Sequence, residues 1–247
     1  MFARHIQHLT GADKNVDITP NFPSIFQLQN LHSLDIFMNR QGRLLLRHVK
    51  YLRILCLADT GLELLPKSIA RLKCLKFLDL ACNPVTVLPE WITELYNLQS
   101  LYLFGCKYLS DLPRGLGNLV NLQHFGLSFN YCPAEGLIRQ LSHLQILPAL
   151  QLSEGGFQIV ELENLHHIKR GYLSIKGLQL VKSKQDAEKA HLSSKLRVEY
   201  LSLVWDNEDN HTNHDEILKA LHPNPHLKKL LIKGTPKCCT PSKNSTC

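Results

Sequence analysis

The stretch Leu52-Arg53-Ile54-Leu55-Cys56-Leu57-Ala58-Asp59-Thr60 decides the fold, because its spacing returns along the chain. The pattern Leu-x-x-Leu-x-Leu-x-x-(Asn, Thr or Cys), with Phe once in place of Leu, begins again at Leu75, Leu98 and Leu122. An earlier copy begins at Leu31, so the intervals between starting points are 21, 23, 23 and 24 residues. Units of about 20 to 29 residues with this pattern are leucine-rich repeats.

Each copy predicts a short strand followed by a turn. Side chains of a strand point alternately to its two faces, so we expect the leucines to point inward and the residues between them to face solvent. The third residue after the last strand leucine lies where the chain leaves the sheet, and buried backbone there needs a hydrogen-bonding partner. Asn and Thr side chains can supply that partner from coil to coil. We therefore predict a structural turn ladder of Asn39, Thr60, Asn83, Cys106 and Asn130.

A second pattern recurs between the strands. Leu-Pro-x-x-Ile/Leu-x-x-Leu begins at Leu65, Leu88 and Leu112. Proline before a three-residue apolar spacing favours a short helix or a 3₁₀ turn. A single coil cannot bury its own leucines, so stacking of coils must form the core. The predicted fold is an α/β leucine-rich-repeat solenoid with a curved parallel β-sheet on the concave side and short helices, 3₁₀ turns and loops on the convex side.

The repeats become longer and less regular along the chain. Strand-like segments lie around Leu173, Leu201 and Leu230, and the intervals between these leucines are 28 and 29 residues. We divide the chain into a capping or junction segment (1–24), regular repeats (25–130), irregular repeats (131–234) and a disordered tail (235–247), since the tail has no periodicity.

Composition limits the compartment and the class of partner. The net charge of +7 is concentrated in Lys228, Lys229, Lys233, Lys237 and Lys243, which does not predict a nucleic-acid-binding face. The eight cysteines are scattered, and neither a signal peptide nor a membrane-spanning run of apolar residues is evident. We expect reduced thiols, no integral membrane segment, and a cytoplasmic or nuclear protein.

Motifs for catalysis and metal binding are weak. His222 and His226, with Cys238 and Cys239, contain suitable zinc ligands but no Cys-x-x-Cys spacing. The segment Gly126-Leu-Ser-Phe-Asn130 lacks the closing glycine of a nucleophile elbow. We find no His-Glu-x-x-His motif and no paired carboxylates with an acid and base environment. The sequence predicts a non-enzymatic protein without catalytic residues, cofactor or metal.

The concave face is the remaining candidate site. Exposed aromatic side chains beside charges are typical of protein-binding hot spots. An alternative is that Tyr102 and Phe104 only cover neighbouring coils. The candidate protein-binding residues are Asp35, Phe37, Arg53, Phe77, Asp79, Tyr102, Phe104 and His124.

Landmarks later in the chain carry a family resemblance. Leu162-Glu-Asn-Leu165, Gly171-Tyr-Leu-Ser-Ile175-Lys-Gly-Leu178, Val204-Trp205 and Leu221-His-Pro-Asn-Pro-His-Leu227 follow the regular repeats in order. With those repeats, they resemble the leucine-rich-repeat region of plant coiled-coil nucleotide-binding (NB-ARC) disease resistance proteins.

That resemblance implies a recognition module in plant innate immunity, which senses pathogen effectors or regulates a nucleotide-binding switch. Its partners would be a pathogen effector, a host protein guarded by the receptor, or the nucleotide-binding domain itself. No Gly-x-x-x-x-Gly-Lys-Ser/Thr phosphate loop occurs, so nucleotide binding cannot be assigned to any residue, and we expect a truncated member of the family. The alternative is a general intracellular leucine-rich-repeat signalling scaffold outside immunity; the landmarks from Leu162 to Gly234 favour the immune family.

Overall fold

A computed structural model describes residues 8–10, 32–37, 50–128, 132–147, 149–168, 171–206 and 214–234, the strands at 8–10 and 33–37 through their backbone alone. These residues form parallel strands joined by short helices and 3₁₀ turns, which confirms the predicted solenoid. The ten strands are β1 His8–Thr10, β2 Ser33–Phe37, β3 Ile54–Cys56, β4 Phe77–Asp79, β5 Ser100–Tyr102, β6 His124–Gly126, β7 Leu150–Gln151, β8 Tyr172–Lys176, β9 Tyr200–Val204 and β10 Lys229–Lys233.

The strands form two sheets. Strands β1 to β6 lie in chain order in the first sheet, and β7 to β10 lie in chain order in the second. Strand β1 falls in the segment predicted as an N-terminal cap and pairs in parallel with β2. Residues 235–247, predicted as a disordered tail, lie outside the described residues.

The repeat leucines form rows that run across the first sheet. Leu55, Leu78, Leu101 and Phe125 are successive partners in the parallel register, and none is more than 1% exposed. Neighbouring strands lie about 4.8 Å apart, so each leucine packs on the equivalent residue of the next coil. The core is therefore a continuous stack of coils, as the repeat predicted.

The convex side carries the predicted 3₁₀ turns. Lys67–Arg71, Glu90–Glu94 and Arg114–Asn118 are 3₁₀ helices, each preceded by proline. In the later coils the convex elements are α1 Leu137–Gln140, α2 Lys184–Lys189 and α3 His214–Ala220, with further 3₁₀ helices at Ile159–Asn164, Leu178–Leu180 and Leu192–Ser194.

The sheets meet within one short segment. Ile146 forms an isolated parallel bridge with His124 of β6, whereas Leu150 pairs with Ile175 of β8.

The turn residues satisfy backbone groups between coils. The Asn83 side chain accepts bonds from the amides of Thr60 (3.1 Å) and Leu62 (2.9 Å), and it donates to the carbonyls of Leu57 (2.7 Å) and Leu80 (2.9 Å). At the next repeat, the buried Cys106 thiol donates to the Leu80 carbonyl at 3.2 Å. Burial raises the pKa of this thiol. Asn39 and Asn130, the other predicted ladder residues, lie outside the described residues.

The last two coils replace a core leucine with polar residues. Leu72, Leu95 and Leu119 each end a 3₁₀ turn and are fully buried. Lys195 and Asn224 stand at the equivalent position, three residues before Val198 and Leu227. Lys195 donates from Nζ to the carbonyls of Leu162 (2.9 Å) and Leu165 (3.2 Å). Asn224 donates from its amide to the carbonyls of Lys195 (3.1 Å) and Val198 (2.7 Å). These two side chains form a second polar ladder, which the leucine pattern did not predict.

Candidate functional site

The concave face of the first sheet contains two rows of side chains. One row is Ile54, Phe77, Ser100 and His124, and the other is Cys56, Asp79, Tyr102 and Gly126. The register places Ile54, which is 41% exposed, opposite Phe77 in the first row. The predicted site residue Arg53 is also exposed and lies one residue before β3 begins, beside this row.

Three aromatic rings form a cluster on this face. The Phe77 and Tyr102 rings meet edge to face, with centroids 5.4 Å apart. The Tyr102 and Phe104 rings are stacked, with centroids 5.8 Å apart. Phe77 and Tyr102 are half-buried, and Phe104 is 44% exposed. We call Phe77, Tyr102 and Phe104 the aromatic cluster; its rings support one another and still present apolar surface to solvent.

Gly126 makes room for the cluster. A Cβ atom built on Gly126 would lie 2.3 Å from Cε2 of Phe104 and 2.7 Å from Cδ1 of Tyr102. The two rings therefore lie directly over the backbone of the neighbouring strand, and Gly126 is buried as a result. The sequence analysis considered this residue only as part of a nucleophile elbow, although a glycine at a strand position facing outward signals a close approach of another group.

Small polar residues border the cluster. The Ser100 hydroxyl lies 2.9 Å from Nδ1 of His124, which fixes the half-buried imidazole beside the rings. Ser100 is only 7% exposed, which departs from our expectation that residues between the strand leucines face solvent. The reason is cross-strand packing, because large neighbours cover small side chains on a curved sheet.

Asp79 is the acidic group of this face among the described residues. Its Oδ1 accepts a bond from the amide of Ala81 at 2.9 Å, and Cys56 Sγ lies 3.9 Å from Oδ2. The carboxylate is half-exposed at the side of the cluster. The predicted residues Asp35 and Phe37 belong to β2, where Asp35 pairs with Cys56 in the register; their side chains lie outside the described residues.

The histidines and cysteines that we weighed as zinc ligands are only partly described. His222 and His226 are exposed, and the structure does not describe Cys238 or Cys239. Across the described ranges, no group of three or more His, Cys, Asp and Glu residues is placed to hold a metal ion. None of the helices within those ranges has the length and hydropathy needed to span a bilayer.

The later coils match a known repeat family. The family described as R13L1/DRL21 LRRs matches residues 159–245, a range that contains the landmarks Leu162 to Gly234. A disease resistance protein of Arabidopsis thaliana is 32% identical over 240 residues, covering 92% of this chain. The disease resistance protein RGA4 of Solanum bulbocastanum is 38% identical over 195 residues, covering 76% of this chain.

Over residues 159–245 the chain matches the R13L1/DRL21 leucine-rich repeats, and over most of its length it is similar to plant disease resistance proteins. This confirms the resemblance that the repeats and landmarks indicated. The chain spans 16% and 19% of the lengths of these two relatives. Among solved structures, a leucine-rich-repeat protein of Leptospira interrogans superposes with a TM-score of 0.60 at 25% identity, covering 88% of this chain and 52% of that chain.

Proposed function

We propose that this leucine-rich-repeat chain is a non-catalytic recognition module in plant defence, and that the aromatic cluster is the centre of its contact with another protein. The observation that carries the proposal is the stacked arrangement of Phe77, Tyr102 and Phe104 on the concave face. Its relatives named as disease resistance proteins support the defence context.

The composition of the cluster suits a protein partner. Aromatic rings provide a large contact area and lose few rotamers on binding, because each ring has two side-chain torsions. Asp79 and the pair of Ser100 and His124 place polar groups around the apolar centre. An apolar centre with a polar rim is the usual anatomy of a protein interface. The proposed contact surface comprises Ile54, Phe77, Asp79, Tyr102, Phe104 and His124, with Asp35 and Phe37 continuing it on β2 and Arg53 beside it.

Two kinds of partner fit a defence module of this type: a pathogen effector or guarded host protein, and the nucleotide-binding domain of a receptor. We favour the nucleotide-binding domain, bound in the cytoplasm or nucleus, because the relatives are several times longer than this chain. In that arrangement the chain restrains or assists a nucleotide-dependent switch located on another polypeptide or another part of the same one.

Co-precipitation from plant cells tests this proposal. The chain is co-expressed with the nucleotide-binding domain of a full-length receptor of the family, as wild type and as Tyr102→Ala/Phe104→Ala. Loss of two interface aromatics costs about 2 kcal/mol or more at a hot spot, so we expect at least a tenfold drop in recovered domain. The matched control is Tyr96→Ala/Tyr108→Ala, which removes two exposed aromatics outside the cluster (54% and 67% exposed).

The outcomes separate binding from folding. All three proteins should unfold cooperatively by circular dichroism at midpoints well above the assay temperature. The cluster variant should have a somewhat lower midpoint, because its rings pack on each other and over Gly126, whereas Tyr96 and Tyr108 are exposed. Equal recovery with the wild type and the cluster variant would remove the cluster from the interface. Failure of the wild type to recover the domain, while it recovers a pathogen effector, would reassign the partner.

A further inference from the structure

Asp79 places a carboxylate beside the aromatic cluster. Asp79 and Tyr102 are partners in the parallel register of β4 and β5, so their backbones lie about 4.8 Å apart. Phe77 stands two residues before Asp79 on the same strand, and strand side chains two residues apart point to the same face. The carboxylate and the rings therefore share one small area of the concave face.

The Asp79 carboxylate is held in place and keeps acceptor sites for a partner. Its Oδ1 accepts a hydrogen bond from the Ala81 amide at 2.9 Å, which fixes its orientation. Its Oδ2 lies 3.9 Å from Cys56 Sγ, and a thiol is a weak donor. An ionised carboxylate has about four acceptor sites, so a stronger donor can bind Asp79 without displacing the Ala81 amide.

The area around Asp79 has no positively charged partner for it within the described structure. The two concave rows of β3 to β6 contain this carboxylate and neither lysine nor arginine. Arg53 lies beside the first row, but no ion pair between described residues joins it to Asp79. Interfaces match opposite charges across the contact, so this area is complementary to a cation that also packs on aromatic rings.

A guanidinium group has both of these properties. It forms paired hydrogen bonds with a carboxylate, and its plane stacks on aromatic rings. The strand spacing of about 4.8 Å is shorter than an arginine side chain, so one arginine can contact both Asp79 and the cluster. We propose that Asp79 and the aromatic cluster together bind an exposed arginine of the partner protein. This inference rests on the proposed function, because it assigns the partner's side chain at the same contact.

Other side chains would satisfy only part of this area. Lysine carries the charge but lacks the planar fork of arginine. Asp79 repels an acidic side chain. An aliphatic side chain would cover the half-exposed carboxylate without giving it a hydrogen-bond donor, which costs free energy. Arginine is therefore the side chain that suits the carboxylate and the rings at once.

A peptide selection on the full chain tests the assignment. A phage library of random heptapeptides is selected on the immobilised wild type and, in parallel, on Asp79→Asn. The Asn side chain keeps an oxygen that can accept from the Ala81 amide, so the two proteins should have the same thermal unfolding midpoint. We expect arginine to be enriched about tenfold over lysine in the wild-type selection, and this enrichment to disappear on Asp79→Asn.

A synthetic peptide from the selection provides the second arm. Its Kd is measured by fluorescence anisotropy with arginine and with citrulline, which has nearly the same shape but no charge. The citrulline peptide should bind the wild type about tenfold more weakly, and the two peptides should bind Asp79→Asn equally. The matched control is Asp111→Asn, because Asp111 is an exposed carboxylate outside the concave rows that also accepts a backbone amide bond, from Leu112 at 2.8 Å. This control should keep the preference for arginine.

Three results would overturn the inference. The first is equal enrichment of arginine on the wild type and on Asp79→Asn. The second is equal affinity of the wild type for the arginine and citrulline peptides. The third is a concentration-dependent dimer in sedimentation velocity that Arg53→Ala and Asp79→Asn both disrupt, which would make a second copy of this chain the occupant.

Co-precipitation of the nucleotide-binding domain separates this inference from the proposed function. Recovery that falls with Tyr102→Ala/Phe104→Ala but not with Asp79→Asn would keep the aromatic contact and reject the arginine. Binding of the arginine peptide that requires Asp79, with domain recovery unchanged in both variants, would support the arginine site and reject the domain as its partner.

Discussion

Replacing Lys195 with leucine should stabilise the protein at neutral pH, although it removes a residue with two hydrogen bonds. Lys195 is 6% exposed, and its nearest polar partners are the carbonyls of Leu162 and Leu165. Burial lowers the pKa of the Lys195 ammonium from 10.5 to about 8. The folded state therefore holds the charged form at a cost that the unfolded chain does not have.

The size and sign of the effect follow from proton linkage. Below pH 8 both states carry the proton, and the folded state bears the full cost. Between pH 8 and 10.5 only the unfolded state keeps the proton, so the free energy of unfolding rises with pH and then levels off. At about 1.4 kcal/mol per pH unit, this window corresponds to about 3 kcal/mol. The Leu162 carbonyl keeps the Leu165 amide as a donor (3.1 Å), so the main loss is the donor to the Leu165 carbonyl. That loss costs about 1 kcal/mol, so Lys195→Leu should gain about 2 kcal/mol at pH 7.

Urea unfolding followed by circular dichroism between pH 7 and 10.5 measures the prediction. Tyr and Cys side chains also titrate in this range, so the relevant quantity is the difference in unfolding free energy between the wild type and Lys195→Leu at each pH. The advantage of the variant should fall by about 3 kcal/mol as the pH rises, so the wild type should be more stable by about 1 kcal/mol at pH 10.5. The control Lys182→Leu, at an exposed position, should give a constant difference. A constant difference for Lys195→Leu as well, or a less stable variant at pH 7, would refute the reasoning.

Three further predictions concern the turns and the aromatic cluster. Asn83→Leu should lower the free energy of unfolding by about 3 kcal/mol or more in urea titrations, because it leaves the amides of Thr60 and Leu62 without their acceptor and removes one donor each from the carbonyls of Leu57 and Leu80. Gly105→Ala should cost more than Gly155→Ala in the same assay. Both glycines have φ near +70°, but a Cβ on Gly105 would lie 2.9 Å from Cys82 Sγ, whereas nothing lies within 4 Å at Gly155; equal losses would remove crowding as a cause. Gly126→Ala should displace the Phe104 ring and weaken partner binding severalfold in the co-precipitation assay at an unchanged thermal midpoint, and unchanged recovery would contradict this.

The regular half of the fold could be predicted because one physical rule repeats. Leu55, Leu78 and Leu101 were placed in one row from spacing alone, and the register agrees. The candidate site remains a prediction, and the structure adds its geometry. Spacing placed Arg53 on the concave face but did not reveal where β3 begins, and the register puts Ile54 opposite Phe77. Gly126 has no side chain to suggest a role, so only the positions of the neighbouring rings show its function.

The sequence by itself determined the repeat and the Leu-Pro turns, because both depend on short-range periodicity that every stacked coil must satisfy, and its later landmarks indicated the family. Tertiary structure decided the division into two sheets between Ile146 and Leu150, the burial of Lys195 at a leucine position, and the exposure of β10. These features depend on the side chains and backbone groups that each coil packs against in the next coil. Contacts such as Gln145 with Gln123 and Lys195 with Leu162 join residues 22 and 33 positions apart, and the pattern within one repeat does not specify them.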